Sequence, residues 1–154
     1  MTEIERLVKV SMNSNPTKWE SKSEELTTKV SFLNCRSIKN KFQNIKSDRS
    51  LLKSDIFVLT ETWLEEDTNL SEYQMPEFDT DFNNRGRGKG IASYYNGKFK
   101  HAVNINCEGV SISKLESENI DIIGIYRSQG GNDRDLIDEL EVMVDRGKNN
   151  CIRR

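Results

Sequence analysis

Residues 30–37 read Val30-Ser31-Phe32-Leu33-Asn34-Cys35-Arg36-Ser37, and residues 55–63 read Asp55-Ile56-Phe57-Val58-Leu59-Thr60-Glu61-Thr62-Trp63. Each is an apolar run of strand length that delivers a polar tip. Between them Ile38, Phe42 and Ile45, then Leu51 and Leu52, predict one amphipathic helix over 38–53, with Lys39, Lys41 and Lys46 on its wetter side. Strand, helix, strand is a crossover unit. Its two strands lie parallel and release their carboxyl ends on one edge of the sheet, the edge where open α/β sheets bind ligands. Asn34 and Glu61 are therefore expected side by side: an amide that orients a phosphate, and a carboxylate that holds a hard cation. The same two residues also suit plainer roles, Glu61 as a strand-end carboxylate facing water and Asn34 as a turn former.

Outward from this unit, residues 1–28 are polar and charged, and Ser11 to Pro16 breaks the helical spacing of Ile4, Leu7 and Val8. They read as a tail or linker, with Trp19 as a docking point, and residues 29–154 as the domain. The apolar run to Thr60 is uninterrupted, which implies burial on both faces. An acidic loop follows, over 65–74, anchored by Tyr73 and Phe78. Arg85-Gly86-Arg87-Gly88-Lys89-Gly90 is glycine-rich and basic. It lacks the Lys-Ser/Thr ending of a phosphate-binding P-loop and precedes a strand, not a helix, so it reads as a flexible entry into the strand Ile91 to Tyr95. Asn96-Gly97 signals a two-residue hairpin to a strand from Lys98 to Ile105. Val110 to Leu115 and Ile120 to Tyr126 pair across Glu116 to Asn119, which makes an antiparallel meander of four sequential strands. Leu136, Ile137, Leu140, Val142, Met143 and Val144 give the buried stripe of a helix over 133–146. The residues after Gly147 look like the start of another strand.

Composition narrows the partners. A net charge of −2 over 154 residues gives no global basic field. Charge is nonetheless segregated. Arg36 to Lys53 carries six basic residues and one acid, Ser54 to Asn84 nine acids and no base, and Arg85 to Lys100 five bases and no acid. Basic rims around an acidic, metal-seeking centre suit a phosphodiester substrate; solvated faces of alternating sign give the same pattern. Cys35, Cys107 and Cys151 have no zinc spacing and suit free thiols without a disulfide partner. No apolar run reaches membrane-span length, so an intracellular protein is expected, the nucleus included.

The stretch Leu33-Asn34-Cys35-Arg36-Ser37-Ile38 with Asn40-Lys41, followed by Leu59-Thr60-Glu61-Thr62-Trp63-Leu64, resembles the endonuclease/exonuclease/phosphatase family. It is most similar to the endonuclease domains of non-long-terminal-repeat retrotransposons and helitron-type elements. The resemblance covers residues 29 to 152 and implies an α/β fold, the N-terminal part of a four-layer α/β/β/α sandwich of the deoxyribonuclease-like kind. It implies metal-dependent cleavage of DNA, with Mg²⁺ or Mn²⁺ held by Glu61, and Asn34 and Tyr126 as further catalytic residues. Arg36, Lys41, Arg87 and Arg127 are the expected contacts to the DNA backbone. Ser128 and Gln129 stand where the family often has Pro after the Tyr-Arg pair. The family's later Gly-Asp-x-Asn motif, its further Asp and its Asp-His pair are not in the sequence, and His101, without an aspartate nearby in sequence, is not assigned as base. The expectation is a truncated, inactive fragment of a mobile-element endonuclease. Two alternatives stay open: a nucleic-acid-binding module without chemistry, and an unstable relic without a role.

Overall fold

In a computed structural model the described residues are 28–83, 86–118 and 120–151, with side chains of the last helix described through Met143. The tail expected over 1–28 (apart from Thr28), with its Trp19, lies outside them, as do Asn84, Arg85, Asn119 and residues 152–154. The elements are β1 (Val30–Asn34), α1 (Ile38–Ser47), α2 (Arg49–Leu52), β2 (Ile56–Thr60), a 3₁₀ turn (Leu70–Tyr73), β3 (Asp79–Asn83), β4 (Ile91–Tyr95), β5 (Lys100–Cys107), β6 (Val110–Glu116), β7 (Asp121–Arg127) and α3 (Asp133–Cys151). They form a mixed α/β structure with two sheets, one in the order β1-β2-β4-β3 and one in the order β5-β6-β7.

The expected crossover is present. β1 and β2 run parallel, with Asn34 level with Thr60. The connection is two helices instead of one. Asp48 leaves the helical region (φ −77°, ψ 102°), ends α1, and caps α2 by accepting from the backbone N–H of Ser50 and Leu51. A short acidic side chain that bonds its own backbone competes with helix continuation, and here it wins.

β2 is buried along its whole length, and its alternation serves two cores. Phe57 and Leu59 join Ile38, Phe42, Ile45, Leu51, Tyr73, Met75 and Tyr94 on the helix side. Ile56 and Val58 join Ile91, Tyr95, Phe99 and Leu115 between the sheets, with Val30, Phe32, Ile122 and Tyr126 packed alongside. Phe57 stacks on Tyr94 at 4.5 Å and 9°, and meets Phe78 edge-on at 5.0 Å, so Tyr73 and Phe78 do anchor the acidic loop. A third cluster joins Val110, Ile112, Ile123 and Ile125 to Leu136 and Met143 of α3. Ile137 and Val142 are exposed, which removes them from the expected buried stripe; the side chain of Val144 lies outside the described residues.

The expected four-strand meander is not formed. β4 pairs antiparallel with β2 on one side and β3 on the other, so both its edges are occupied before β5 begins. Asn96-Gly97 therefore turns the chain from one sheet into the other. Asp55 fixes that turn: Asn96 donates to it through its side chain at 2.7 Å and through its backbone N–H at 3.0 Å. β3 is absent from the sequence reading because Asp79, Thr80, Asp81 and Asn83 hide a strand whose neighbours supply the apolar contacts. α3 runs through Gly147 to Cys151, so 148–151 is helical and not the start of a strand. The sheets meet closely where Gly124 of β7 faces Val58 of β2.

Candidate active site

β1 and β2 end together, and their tips stay hydrogen-bonded beyond the sheet. Cys35 N donates to Thr60 O at 3.0 Å, Ser37 N to Glu61 O at 2.8 Å and Ile38 N to Thr62 O at 3.0 Å. Four residues in these tips have left-handed backbones without being glycine: Arg36, Ser37, Glu61 and Trp63, at φ 45°, 84°, 53° and 57°. Each such residue costs about 1–3 kcal/mol, and clusters of them mark functional segments. The buried Cys35 thiol donates to Thr60 O at 3.2 Å. Burial pushes that thiol up to about 12, against the opposing pull of Lys41, so it braces the tips as a neutral group.

The bends aim the side chains. Asn34 Nδ2 donates to Glu61 Oε1 at 2.8 Å, and Arg36 N donates to Asn34 Oδ1 at 3.3 Å. Tyr126 enters from the other sheet, on the β7 face that carries Ile122 into the core between the sheets. Its hydroxyl donates to Gly88 O at 2.7 Å. Burial first, then the Glu61 carboxylate beside it, raise its pKa above the ordinary tyrosine value. The phenolic proton is donated to Gly88 O, with the Glu61 carboxylate near enough to act on it electrostatically. The three expected catalytic residues, drawn from three strands and both sheets, come together.

The basic residues divide. Arg36 and Lys41 are exposed near the tips. Arg127 is tied to Asp133, Nε to Oδ1 at 2.6 Å. Arg87 is exposed and its guanidinium lies 5.7 Å from the centre of the Trp63 ring. His101 does have an acidic neighbour, Asp81 Oδ2 at 3.4 Å. That pair bridges β5 and β3, and β3 is at the opposite edge of its sheet from β1, so it does not serve Asn34 and Glu61. Asn104, which donates to the same Asp81 oxygen at 2.8 Å, and Asn106, which donates to Asn83 at 2.7 Å, extend this polar seam between the sheets.

The described part of the glycine-rich run is hydrogen-bonded to the tip of β2. Trp63 N donates to Lys89 O at 3.0 Å, Gly86 N to Leu64 O at 3.0 Å and Lys89 N to Gly86 O at 3.2 Å. Gly86 and Gly88 have φ of 76° and 71° with open space where a Cβ would stand. The backbone shape, not crowding, is what calls for glycine there. The sequence reading quoted Trp63 and Gly88 within their stretches but gave neither a role in the site. The signal available was Trp63 itself, directly after the Glu61-Thr62 tip.

Among the described residues no group of three or more His, Cys, Asp or Glu comes together. Glu61 still fits a hard cation chemically, since Mg²⁺ prefers oxygen and commonly takes only one or two carboxylates, filling its shell with water and phosphate. Cys35 and Cys107 are free thiols, and no described helix is long and apolar enough to cross a membrane.

No family model and no curated protein matches the chain. Among solved structures it is similar to NExo, a 3′ phosphatase from Neisseria bound to product DNA hairpin, with 17% identity and a TM-score of 0.47, over 65% of this chain and 41% of that one. The match therefore spans less than half of the length of that protein.

Proposed function

We propose that this chain carries phosphodiester-cleaving elements of the endonuclease/exonuclease/phosphatase type, most similar to those of mobile-element endonucleases, and that DNA is its partner. The observation that carries this reading is the Asn34–Glu61 hydrogen bond at the paired strand ends, with the Tyr126 hydroxyl beside it. In this reading the apolar clusters on either side of the two sheets belong to an α/β/β/α sandwich. Glu61 would hold Mg²⁺ or Mn²⁺, which when bound supplies charge stabilisation to a phosphate. Asn34 orients the phosphate through its second amide N–H, and Tyr126 does so once its hydroxyl is released from Gly88 O. Arg36, Lys41 and Arg87 neutralise neighbouring backbone phosphates, and Arg127 does so once released from Asp133.

Glu61 belongs to no group of three or more His, Cys, Asp or Glu among the described residues, and the reading favours binding without cleavage. Calorimetric titration with Mn²⁺ tests the cation role: Glu61→Gln should weaken binding at least about tenfold, the scale of losing a dedicated charged group, while Glu66→Gln should not. Equal Mn²⁺ affinity in wild type and Glu61→Gln removes the metal assignment. Supercoiled plasmid incubated with the chain and Mg²⁺ should stay closed. Nicking that vanishes in Glu61→Gln would instead show a complete catalytic site.

A further inference from the structure

We propose that Trp63 and Arg87 form a subsite for one unpaired nucleobase of a single-stranded DNA segment adjoining the Asn34–Glu61 site. The proposal rests on the nucleic-acid reading above and adds the strand state of the substrate. Four observations carry it. Arg87 is an exposed cation that forms no ion pair with a described residue. It sits at the crest of a turn that Gly86 and Gly88 shape and four hydrogen bonds hold, one of them from Tyr126. Its guanidinium lies over the indole of Trp63 at 5.7 Å, near the outer limit of a cation–π pair. The indole N–H is buried and has no acceptor.

A left-handed backbone at Trp63 costs at least as much as an exposed ion–ring pair returns, while Gly86 and Gly88 adopt their left-handed shape at little cost. The arrangement is better matched to a ligand with a π-face, a negative charge and an acceptor. A nucleotide has all three: its base stacks on the indole, its phosphate meets Arg87, and a base or sugar oxygen can take the indole N–H. A paired base keeps its faces against its neighbours in the duplex, so only an unpaired one can use the ring. Arg87 is on the outside of the turn and can move outward to admit it, whereas Trp63 is fixed by its backbone bond to Lys89.

The test uses the full chain with Trp19→Phe, which leaves Trp63 as the one tryptophan, in EDTA, titrated with oligo(dT) and with a hairpin duplex of equal charge. Oligo(dT) should quench Trp63 emission and bind at least about tenfold tighter than the duplex. Arg87→Ala, an exposed change that should leave the melting temperature unaltered, should weaken oligo(dT) binding several-fold and lower the salt dependence of that binding. Followed by anisotropy of end-labelled oligo(dT), Trp63→Phe should retain most of the affinity and Trp63→Ala should weaken binding about 5- to 100-fold, the scale of losing one base stack. Equal affinity for both DNAs, or binding of oligo(dT) without quenching, overturns the subsite and leaves Arg87 as a backbone contact. Because metal is absent here, failure of the Glu61 assignment in the Mn²⁺ titration leaves this result standing, and the converse also holds.

Discussion

Gly124→Ala probes the joint between the sheets on which the site depends. A Cβ at residue 124 would lie 3.0 Å from Val58 Cγ1 and 3.7 Å from Cγ2. Val58 is 2% exposed on a strand buried end to end, between β1 and β4, so it cannot step aside. Overpacking of this kind costs about 1–3 kcal/mol. Ala also stabilises by about 0.4–1 kcal/mol by restricting the unfolded chain, at a backbone position it can adopt. The net expectation is a loss of roughly 1–2 kcal/mol in urea unfolding. Val58→Ala alone removes two buried methyl groups at about 0.8 kcal/mol each plus a cavity term. In the double variant the new methyl occupies part of the vacated space. Its loss should therefore fall short of the sum of the single losses by about 1 kcal/mol or more, well outside the roughly 0.5 kcal/mol scatter of independent sites. Two residues along β7 from Gly124, Tyr126 should retreat from Glu61 in Gly124→Ala. If the single variant is neutral, or the two losses simply add, the sheets do not meet at this pair and the placement of Tyr126 beside Glu61 loses its support.

Asp48→Ala should cost about 0.5–2 kcal/mol, the value of a helix cap, because its carboxylate holds Ser50 and Leu51 at the start of α2. The hydroxyl of Ser50, then its backbone N–H, lower the pKa of Asp48. That stability is present above the ordinary aspartate range near 3.9 and is lost as pH falls through the folded value, so Asp48→Asn should flatten the acid limb of a stability–pH curve. On the alkaline side, burial raises Cys35 from 9.0 to about 12 and also raises Tyr94. Their contribution is complete below about pH 9 and declines as pH rises toward 12, since the unfolded chain releases these protons first. Cys35→Ala should therefore lose less stability between pH 9 and 11 than the wild type; an identical alkaline limb would mean the thiol is not held neutral beneath the strand tips.

What the sequence determined by itself is local or periodic. The apolar runs ending at Asn34 and Thr60 with helical spacing between them specify a right-handed crossover, and a crossover has one outcome: parallel strands with adjacent carboxyl ends. The meeting of Asn34 with Glu61 follows from that, and it is seen at 2.8 Å. The approach of Tyr126 could not follow from it. Its strand belongs to the second sheet, and its place depends on the close packing of Gly124 on Val58 and on the Gly88 carbonyl that takes its proton. Asn96-Gly97 shows the same limit. The dipeptide specifies a turn, but whether the next strand returns to the same sheet depends on which edges are free, and β3 had already taken the outer edge of β4. β3 was invisible because Asp81 and Asn83 find their partners in Asn104 and Asn106, across a seam that exists only after both sheets have formed. Short-range chemistry wrote the crossover and its two polar tips; the third residue of the site and the braced Arg87 turn were decided by contacts between segments far apart in the chain, which no local pattern encodes.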